Sequence, residues 1–411
     1  MQTTALAGGD ALPDADAVLT QRRQSYWSVV GRSYWRKTAT RLATWWALSV
    51  IFLTVCVPFI ANDAPFTAVI KGQREFPLFR NLTWVDWIWF AWGTAASLFG
   101  IVFWRTGKLR IEMEQLRAIR FKWFIWTLAA AVVLSVGLAA FKSDYLDKRD
   151  YHAMAAAGEL KEAVYAPLRW GYAEQETKAY SMPTAQHVLG TDFVGRDVLS
   201  RLLWGARVVL EIGLVSEIIA LAIGTVFGAF MGYFVGKVDI LGMRFMEIVE
   251  AVPLLFLLIT FVAIFGRQLF MIMVIIGVTG WTGIARFVRA EFLRMRNMDY
   301  VAASKAMGLP LRNILFRHML PNGLTPVIVS FTFGVAGNIV SESILSFLGI
   351  GVVPPIASWG SMLDQAGNPG IAFRWWLALP PGVMIFLTVF AYNIMGESMR
   401  DAIDPKMNKM E

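Results

Sequence analysis

Blocks of about 20 consecutive apolar residues, the length that carries an α-helix across a bilayer, recur at 42–60, 84–104, 121–141, 207–235, 242–265, 270–293, 324–348 and 376–396. No other feature restricts the fold as much. Hydrocarbon offers no water to satisfy backbone amides, so segments of this length and pattern cross as helices. Of the 411 residues 56% are hydrophobic and 17% charged, a balance well outside that of a soluble domain. The expected class is all-α, a polytopic membrane protein with about eight transmembrane helices. Two of these, 84–104 and 121–141, carry tryptophans near their ends (Trp84, Trp87, Trp104, Trp123, Trp126), as an interfacial aromatic belt requires.

Charge sets the expected topology. Arg22, Arg23, Arg32, Arg36, Lys37 and Arg41 precede the first block, Arg105 to Lys122 form a basic loop, and Arg286 to Arg317 form another. Cytoplasmic loops carry such an excess, and counting spans alternately puts all three on one side with both termini. The division expected is a cytoplasmic segment 1–41, a first helix 42–60 and an external segment holding an inserted hairpin over 61–141. An external segment 142–203, a core 204–396 with a cytoplasmic loop 296–321, and a cytoplasmic tail 397–411 follow. The net charge of +8 thus needs no nucleic acid to explain it. Cys56 is alone, so no disulfide framework exists, and His152, His187 and His318 lack metal-ligand spacing. Neither "GYFVGKVD" (232–239) nor "RTGKLR" (105–110) has P-loop spacing. No Gly-x-Ser-x-Gly elbow or His-Glu-x-x-His helix is present, so no catalytic site and no bound cofactor is expected in this chain.

One stretch stands apart, "DYVAASKAMGLPLRNILFRHMLPN" (299–322). Ala302, Ala303 and Ala306 make a small-residue face, Gly308 suits the left-handed end of a helix, and Pro310 holds Leu309 extended. A second short helix, about 311–319, is expected to end before Pro321. Two uses fit the residues: a docking element whose flat face enters a partner's groove, or a basic connector resting on lipid headgroups.

The stretch resembles the EAA loop of ABC importer permeases: Ala303 matches an alanine, and Gly308, Leu320 and Pro321 match their positions. Ala302 stands where the pattern has Glu and Ser304 where it has the second Ala, so the resemblance implies docking without a Glu-based ion pair. "HVLGTDFVGRDVLSRLLWGAR" (187–207), "SESILSFLGIGVVPPIASWGSML" (341–363) and "WWLALPPGVMIFLTVFAYNIMGESMRDAIDPK" (375–406) resemble the C-type permeases of dipeptide and oligopeptide importers. "PFIANDAPF" (58–66), "EFPLFRN" (75–81) and "APLRWGY" (166–172) are similar to the microcin C importer branch. The resemblance implies a permease subunit in a bacterial inner membrane, importing peptides or peptide-like solutes. It implies a homologous second permease, two cytoplasmic ATPase subunits that bind ATP and Mg²⁺, and an external solute-binding protein. Ala302, Ala303, Ser304, Gly308, Leu309, Leu320 and Pro321 would couple the ATPases to the spans. Such permeases have six spans; the hairpin at 84–141 is additional, and an even number of extra crossings leaves later loops on their proper side.

Carboxylates inside apolar blocks cost at least about 2.5–3.5 kcal/mol when ionised at the bilayer centre. Glu211, Glu217, Glu247, Glu250 and Glu342 are such residues. They either line a path for a charged solute or pair with neighbours such as Arg207 and Arg244. Glu217 and Glu342 are the pathway candidates. The glycines in the spans (Gly213, Gly224, Gly228, Gly232, Gly334, Gly337) are explained mostly by the general frequency of glycine in membrane helices. Rival readings are a secondary transporter driven by an ion gradient, for which no internal repeat is visible, a membrane enzyme, and an ABC permease for nickel or another non-peptide solute.

Overall fold

The computed structural model describes residues 26–107, 113–140, 149–175, 178–367 and 373–403. The expectations for 1–25, the tip of the 105–122 loop and the tail beyond 403 lie outside the described residues. The elements are α1 (Tyr26–Tyr34), α2 (Thr38–Ile60), β1 (Thr67–Ile70), β2 (Gln73–Glu75), α3 (Trp84–Gly107), α4 (Met113–Ala140), α5 (Tyr151–Ala156) and β3 (Leu160–Val164). They continue with α6 (Val198–Tyr233), α7 (Lys237–Ala251), α8 (Leu254–Phe265), α9 (Leu269–Met295), α10 (Asp299–Ala306), α11 (Leu320–Phe347), α12 (Trp359–Ala366) and α13 (Trp375–Ile403). Among the described residues, seven helices are each long and apolar enough to span a membrane.

The eighth crossing is broken. α7 and α8 meet at 77°, where the expected single span 242–265 should run straight. Pro253 causes the break: it forces Val252 into extended backbone (φ −83°, ψ 119°) and begins α8 at Leu254. That the pair still crosses follows from packing. Added methyls on Gly224, Gly228 and Gly232 of α6 would meet Trp281, Ala285 and Arg289 of α9 in rising order, so α6 and α9 run parallel. Two parallel neighbours need a return crossing between them, and only α7–α8 lies between.

The contact between α6 and α9 is close because glycines make it so. A Cβ at Gly224 would lie 2.7 Å from the Trp281 carbonyl oxygen, one at Gly228 2.5 Å from that of Ala285, and one at Gly232 2.6 Å from that of Arg289. Spaced four apart, they form one row along α6, and small residues of this kind let helix backbones approach in lipid. Gly213 faces Val335 and Ile339 at 3.1–3.2 Å, and Gly334 faces the Glu217 carboxylate. Of the six span glycines singled out by sequence, only Gly337 would find open space. Their abundance is thus mostly a packing requirement, contrary to the expectation.

Around this pair, α11 runs antiparallel to α6, and α2 lies against α13, with Thr40 bonding Ser398 (2.6 Å) and Trp46 bonding Thr388 (3.2 Å). α3 and α4 form a peripheral hairpin: none of the apolar window of α3 is buried, against 56% of that of α9. A three-stranded antiparallel sheet of order β2–β1–β3 caps the end of α2, with Ala64, Ala68, Ile70, Leu78 and Tyr151 as its own small core. The all-helical expectation holds for the membrane part and misses this sheet. Its strands are three to five residues long, with β1 and β3 some 90 residues apart, too short and remote for an alternating pattern to register.

Candidate functional site

α10 ends as the sequence anticipates. Gly308 adopts φ +70°, its amide donates to the Lys305 carbonyl (2.9 Å), and the Leu309 amide donates to that of Ser304 (3.1 Å). This paired arrangement is the Schellman closure, and glycine takes the left-handed position without strain. A Cβ on Gly308 would touch nothing, so the requirement there is conformational rather than steric.

The segment has two faces. Val301, Ser304, Ile314, Leu315 and Met319 are buried and join the core formed by α6 and α9. The Ser304 hydroxyl donates to the Tyr300 carbonyl (2.7 Å), while Leu309 and Leu320 pack partly into the same core. Ala302, Ala303, Lys305, Ala306, Met307, Gly308 and Pro321 are exposed, Met307 at 71%. The seven residues expected to couple therefore divide: Ala302, Ala303, Gly308 and Pro321 form an open face, and Ser304, Leu309 and Leu320 seat it.

The chain does not stop before Pro321. Asn313–Met319 is π-helical and passes directly into α11. Pro321 has no amide to donate and its ring would crowd a tight preceding turn. The wider turn accommodates both, with the Leu320 amide reaching back to Leu315 and the Asn322 side chain donating to the His318 carbonyl (2.8 Å). The expected helix–turn–helix is thus present, but its second helix continues into a span instead of ending before Pro321.

A cavity of about 740 Å³ lies near the other end of α6, between its first turns, the start of α3 and the segments after α2 and α5. From Val208, which lines it, to Tyr233, α6 rises about 37 Å, more than the roughly 30 Å hydrocarbon core. Tyr233 lies beside the exposed segment: its ring sits 5.0 Å from Lys305 Nζ and its carbonyl accepts from Arg296 (3.4 Å). Cavity and segment therefore lie at opposite ends of α6. Asp63 and Glu174 are at the cavity, and burial raises both carboxyls, Glu174 to about 7. His152 (3.6 Å) and the Gly171 amide (3.3 Å) oppose that rise at Glu174.

The turn "LGTDFVGRD" (189–197) is an ordered entry to α6. Gly190 and Gly195 have φ of +71° and +86°, and Asp192 accepts from Val194, Arg196 and the Arg196 side chain. Asp197 caps α6 by accepting from Ser200 (2.7 Å) and pairs with His187 (2.9 Å). The cap starts the helix at Val198, so the helix begins before the apolar block at 207.

The span carboxylates are only partly satisfied inside the chain: Glu217 Oε1 and Glu342 Oε2 are buried without a hydrogen-bond partner among the described residues. Glu217 is buried between α6 and α11 and accepts from Asn338 (3.0 Å). Glu342 is fully buried beside α12 and accepts from Ser346 (2.7 Å). Neither lines the cavity. Glu247 pairs with Arg244 (2.5 Å) and Glu250 with Arg286, as the pairing alternative expects. Glu211 lies in ion-pair range of Arg207 Nε (3.8 Å), as the pairing alternative expects, and also accepts from Trp89 (2.6 Å) of the hairpin. Arg207 makes its hydrogen bond to Asp86 (2.5 Å). Asp86 and Trp89 escaped the sequence reading, although an Asp inside a tryptophan-rich apolar block is itself a signal.

Residues 224–409 match the model of the family described as "Binding-protein-dependent transport system inner membrane component". The chain is 41% identical over 220 residues to the oligopeptide transport system permease protein OppC of Haemophilus influenzae, covering 54% of this chain and 70% of that one. It belongs to this family of inner-membrane transport permeases. The permease is also 39% identical to the dipeptide transport system permease protein DppC of Bacillus subtilis, over 55% of its own length and 71% of the relative. To the glutathione transport system permease protein GsiD of Pectobacterium atrosepticum it is 36% identical, over 55% and 74%. As a permease it is a multi-pass component of the inner membrane in a binding-protein-dependent transport system, and it is not itself the ATPase.

Proposed function

We propose that this permease is one of two membrane subunits of an ATP-driven importer of peptides or peptide-like solutes, within the branch that serves microcin C. A homologous permease, two ATPase subunits carrying ATP and Mg²⁺, and a solute-binding protein complete the assembly. The relatives named for oligopeptide, dipeptide and glutathione transport support the solute class. The basic connections share the face of the exposed segment, which supports a cytoplasmic position for it and for both termini.

One observation carries the mechanism. The flat face of Ala302, Ala303 and Gly308 is open, yet its underside is welded to the core of α6 and α9 and its far end runs unbroken into α11. A push on that face moves spans rather than bending a loop. ATP binding closes the ATPases, the segment transmits the motion, and the pathway between the two permeases alternates its access; tighter ATP binding to one state supplies the bias. Glu217 and Glu342 stay the pathway candidates in this reading; each carries a buried carboxylate oxygen without a hydrogen-bond partner, and Glu217 also joins α6 to α11 through Asn338.

In proteoliposomes containing the whole importer, Ala303→Arg places a long charged side chain on the flat face. Gly308→Pro demands φ near −65° where the chain needs +70° and removes an amide that donates. Both variants are expected to insert normally and to lose solute-stimulated ATP hydrolysis together with uptake. Stimulation retained in both rejects the coupling role.

A further inference from the structure

The hairpin of α3 and α4 is held to the rest of the permease near one end. Much of its surface is exposed, and along most of its length α3 and α4 contact each other: Trp92 bonds Ser135 (3.1 Å), Phe99 packs on Phe124 (5.5 Å), and Arg120 bonds Thr106 (3.0 Å). Near the start of α3 the pattern changes. Asp86 is 2% exposed and accepts from Arg207 Nη1 at 2.5 Å, and Arg207 is 5% exposed. One turn on, Trp89 donates to Glu211 at 2.6 Å. Spacings of three residues on α3 and four on α6 put each pair on facing helix surfaces.

Asp86 is itself fixed. Its second oxygen accepts from the Thr83 amide (2.6 Å) and hydroxyl (2.7 Å), closing the first turn of α3. Arg207 has no other hydrogen-bond partner: its Nε and Nη2 are buried without one. The hairpin thus supplies the hydrogen-bonded counter-charge of an arginine on the central helix, and Asp86, Arg207 and Glu211 line the cavity with Trp89 bonded behind Glu211. Without Asp86, the buried guanidinium loses its hydrogen-bonded partner and keeps only the looser contacts to Glu211 (3.8 Å) and the Trp204 ring (5.4 Å). Glu211, 3.8 Å from Arg207 Nε, is the nearest replacement. Taking it up draws Glu211 from Trp89 and releases the second contact too.

We propose that Asp86 and Trp89 are positioning residues that lock the inserted hairpin onto α6 as a fixed wall of the cavity, with Asp86 acting first. The reading does not depend on the solute or on the coupling segment.

The test uses a distance already present. A Cβ on Gly93 of α3 lies 4.0 Å from Val55 Cβ of α2, within disulfide range. In a full-length Cys56→Ser background, Val55→Cys with Gly93→Cys is oxidised by copper phenanthroline in native membranes. A protease site at the exposed Lys71–Gly72 turn then separates the chain into two pieces that stay joined only through the disulfide. Asp86→Asn, nearly isosteric, is expected to slow joining at least fivefold, and Trp89→Phe two- to threefold. The double variant should be no slower than Asp86→Asn alone, because the first loss already includes the second. If Asp86→Asn does not accumulate, the Trp89→Phe slowing decides. Unchanged rates, or single effects that multiply in the double variant, overturn the proposal.

Discussion

Adding one methyl group to Gly228 should separate the two central helices. Its Cβ would lie 2.5 Å from the Ala285 carbonyl oxygen and 2.7 Å from Val288 Cβ, where ordinary contact begins at 3.4 Å. The obstacle is backbone in the middle of α9, so no side-chain rotation relieves it. The helices must part by about 1 Å locally, and a gap of that size forfeits a quarter to a half of each dispersion contact along the seam. Overpacking of this kind costs about 1–3 kcal/mol, against a gain of about 0.5–1 kcal/mol from replacing glycine by alanine within a helix. The net expectation for Gly228→Ala is a loss of about 1–2 kcal/mol. Gly337→Ala is the control, because its Cβ meets nothing and only the helix-forming gain remains. A difference of about 2 kcal/mol between them corresponds to roughly thirtyfold in the unfolding equilibrium. Full-length chain in mixed micelles, titrated with sodium dodecyl sulfate and followed by far-ultraviolet circular dichroism, reads the two midpoints. Equal midpoints would show that the glycine row does not set the α6–α9 spacing.

Three further outcomes are expected. Asp197→Ala removes the cap of α6 and the partner of His187, and should lower stability by about 1–2 kcal/mol in the same titration; a loss under about 0.3 kcal/mol would show that the cap is redundant. Burial raises Glu174 to about 7 from 4.5, so the folded state holds its proton longer than the unfolded one. Stability contributed at that site is full below about pH 4.5 and falls as pH rises through 7. Melting of wild type and Glu174→Gln between pH 5 and 8 should therefore diverge, with wild type losing ground as pH rises, and parallel curves would contradict the assignment. Finally, a cysteine replacing Met307 in the Cys56→Ser chain should react with a membrane-impermeant maleimide in inverted vesicles and stay unlabelled in intact cells. Labelling from outside would place the segment on the wrong side for an ATPase.

How far the site was legible varied with the range of the interactions. Gly308 and Pro310 announce the end of α10 through backbone rules that act over three or four residues, and the structure has the predicted turn. Pro321 misled for a related reason. A proline forbids a normal helical turn, but a π-helical turn absorbs it, and the choice depends on Ile314, Leu315 and Met319 being buried against α6 and α9. Glu211 was legible as a partner for Arg207 four residues away, and the two lie 3.8 Å apart. The arginine's hydrogen bond goes to Asp86, over a hundred positions earlier, a partner no spacing along α6 could indicate.

Sequence alone determined what solvent and chain geometry determine. Runs of about 20 apolar residues have to cross as helices, and small residues before a glycine and a proline make a short, flat, terminated helix. Tertiary structure decided whatever required two distant segments to meet: that α6 and α9 run parallel on a glycine row, that the bent α7–α8 pair is one crossing, and that three short strands form a sheet. It also decided that the inserted hairpin is tied to the central helix through Asp86. The division is physical. Transfer of a segment into lipid is a property of that segment, whereas a close backbone approach or a buried ion pair exists only once both partners are in place.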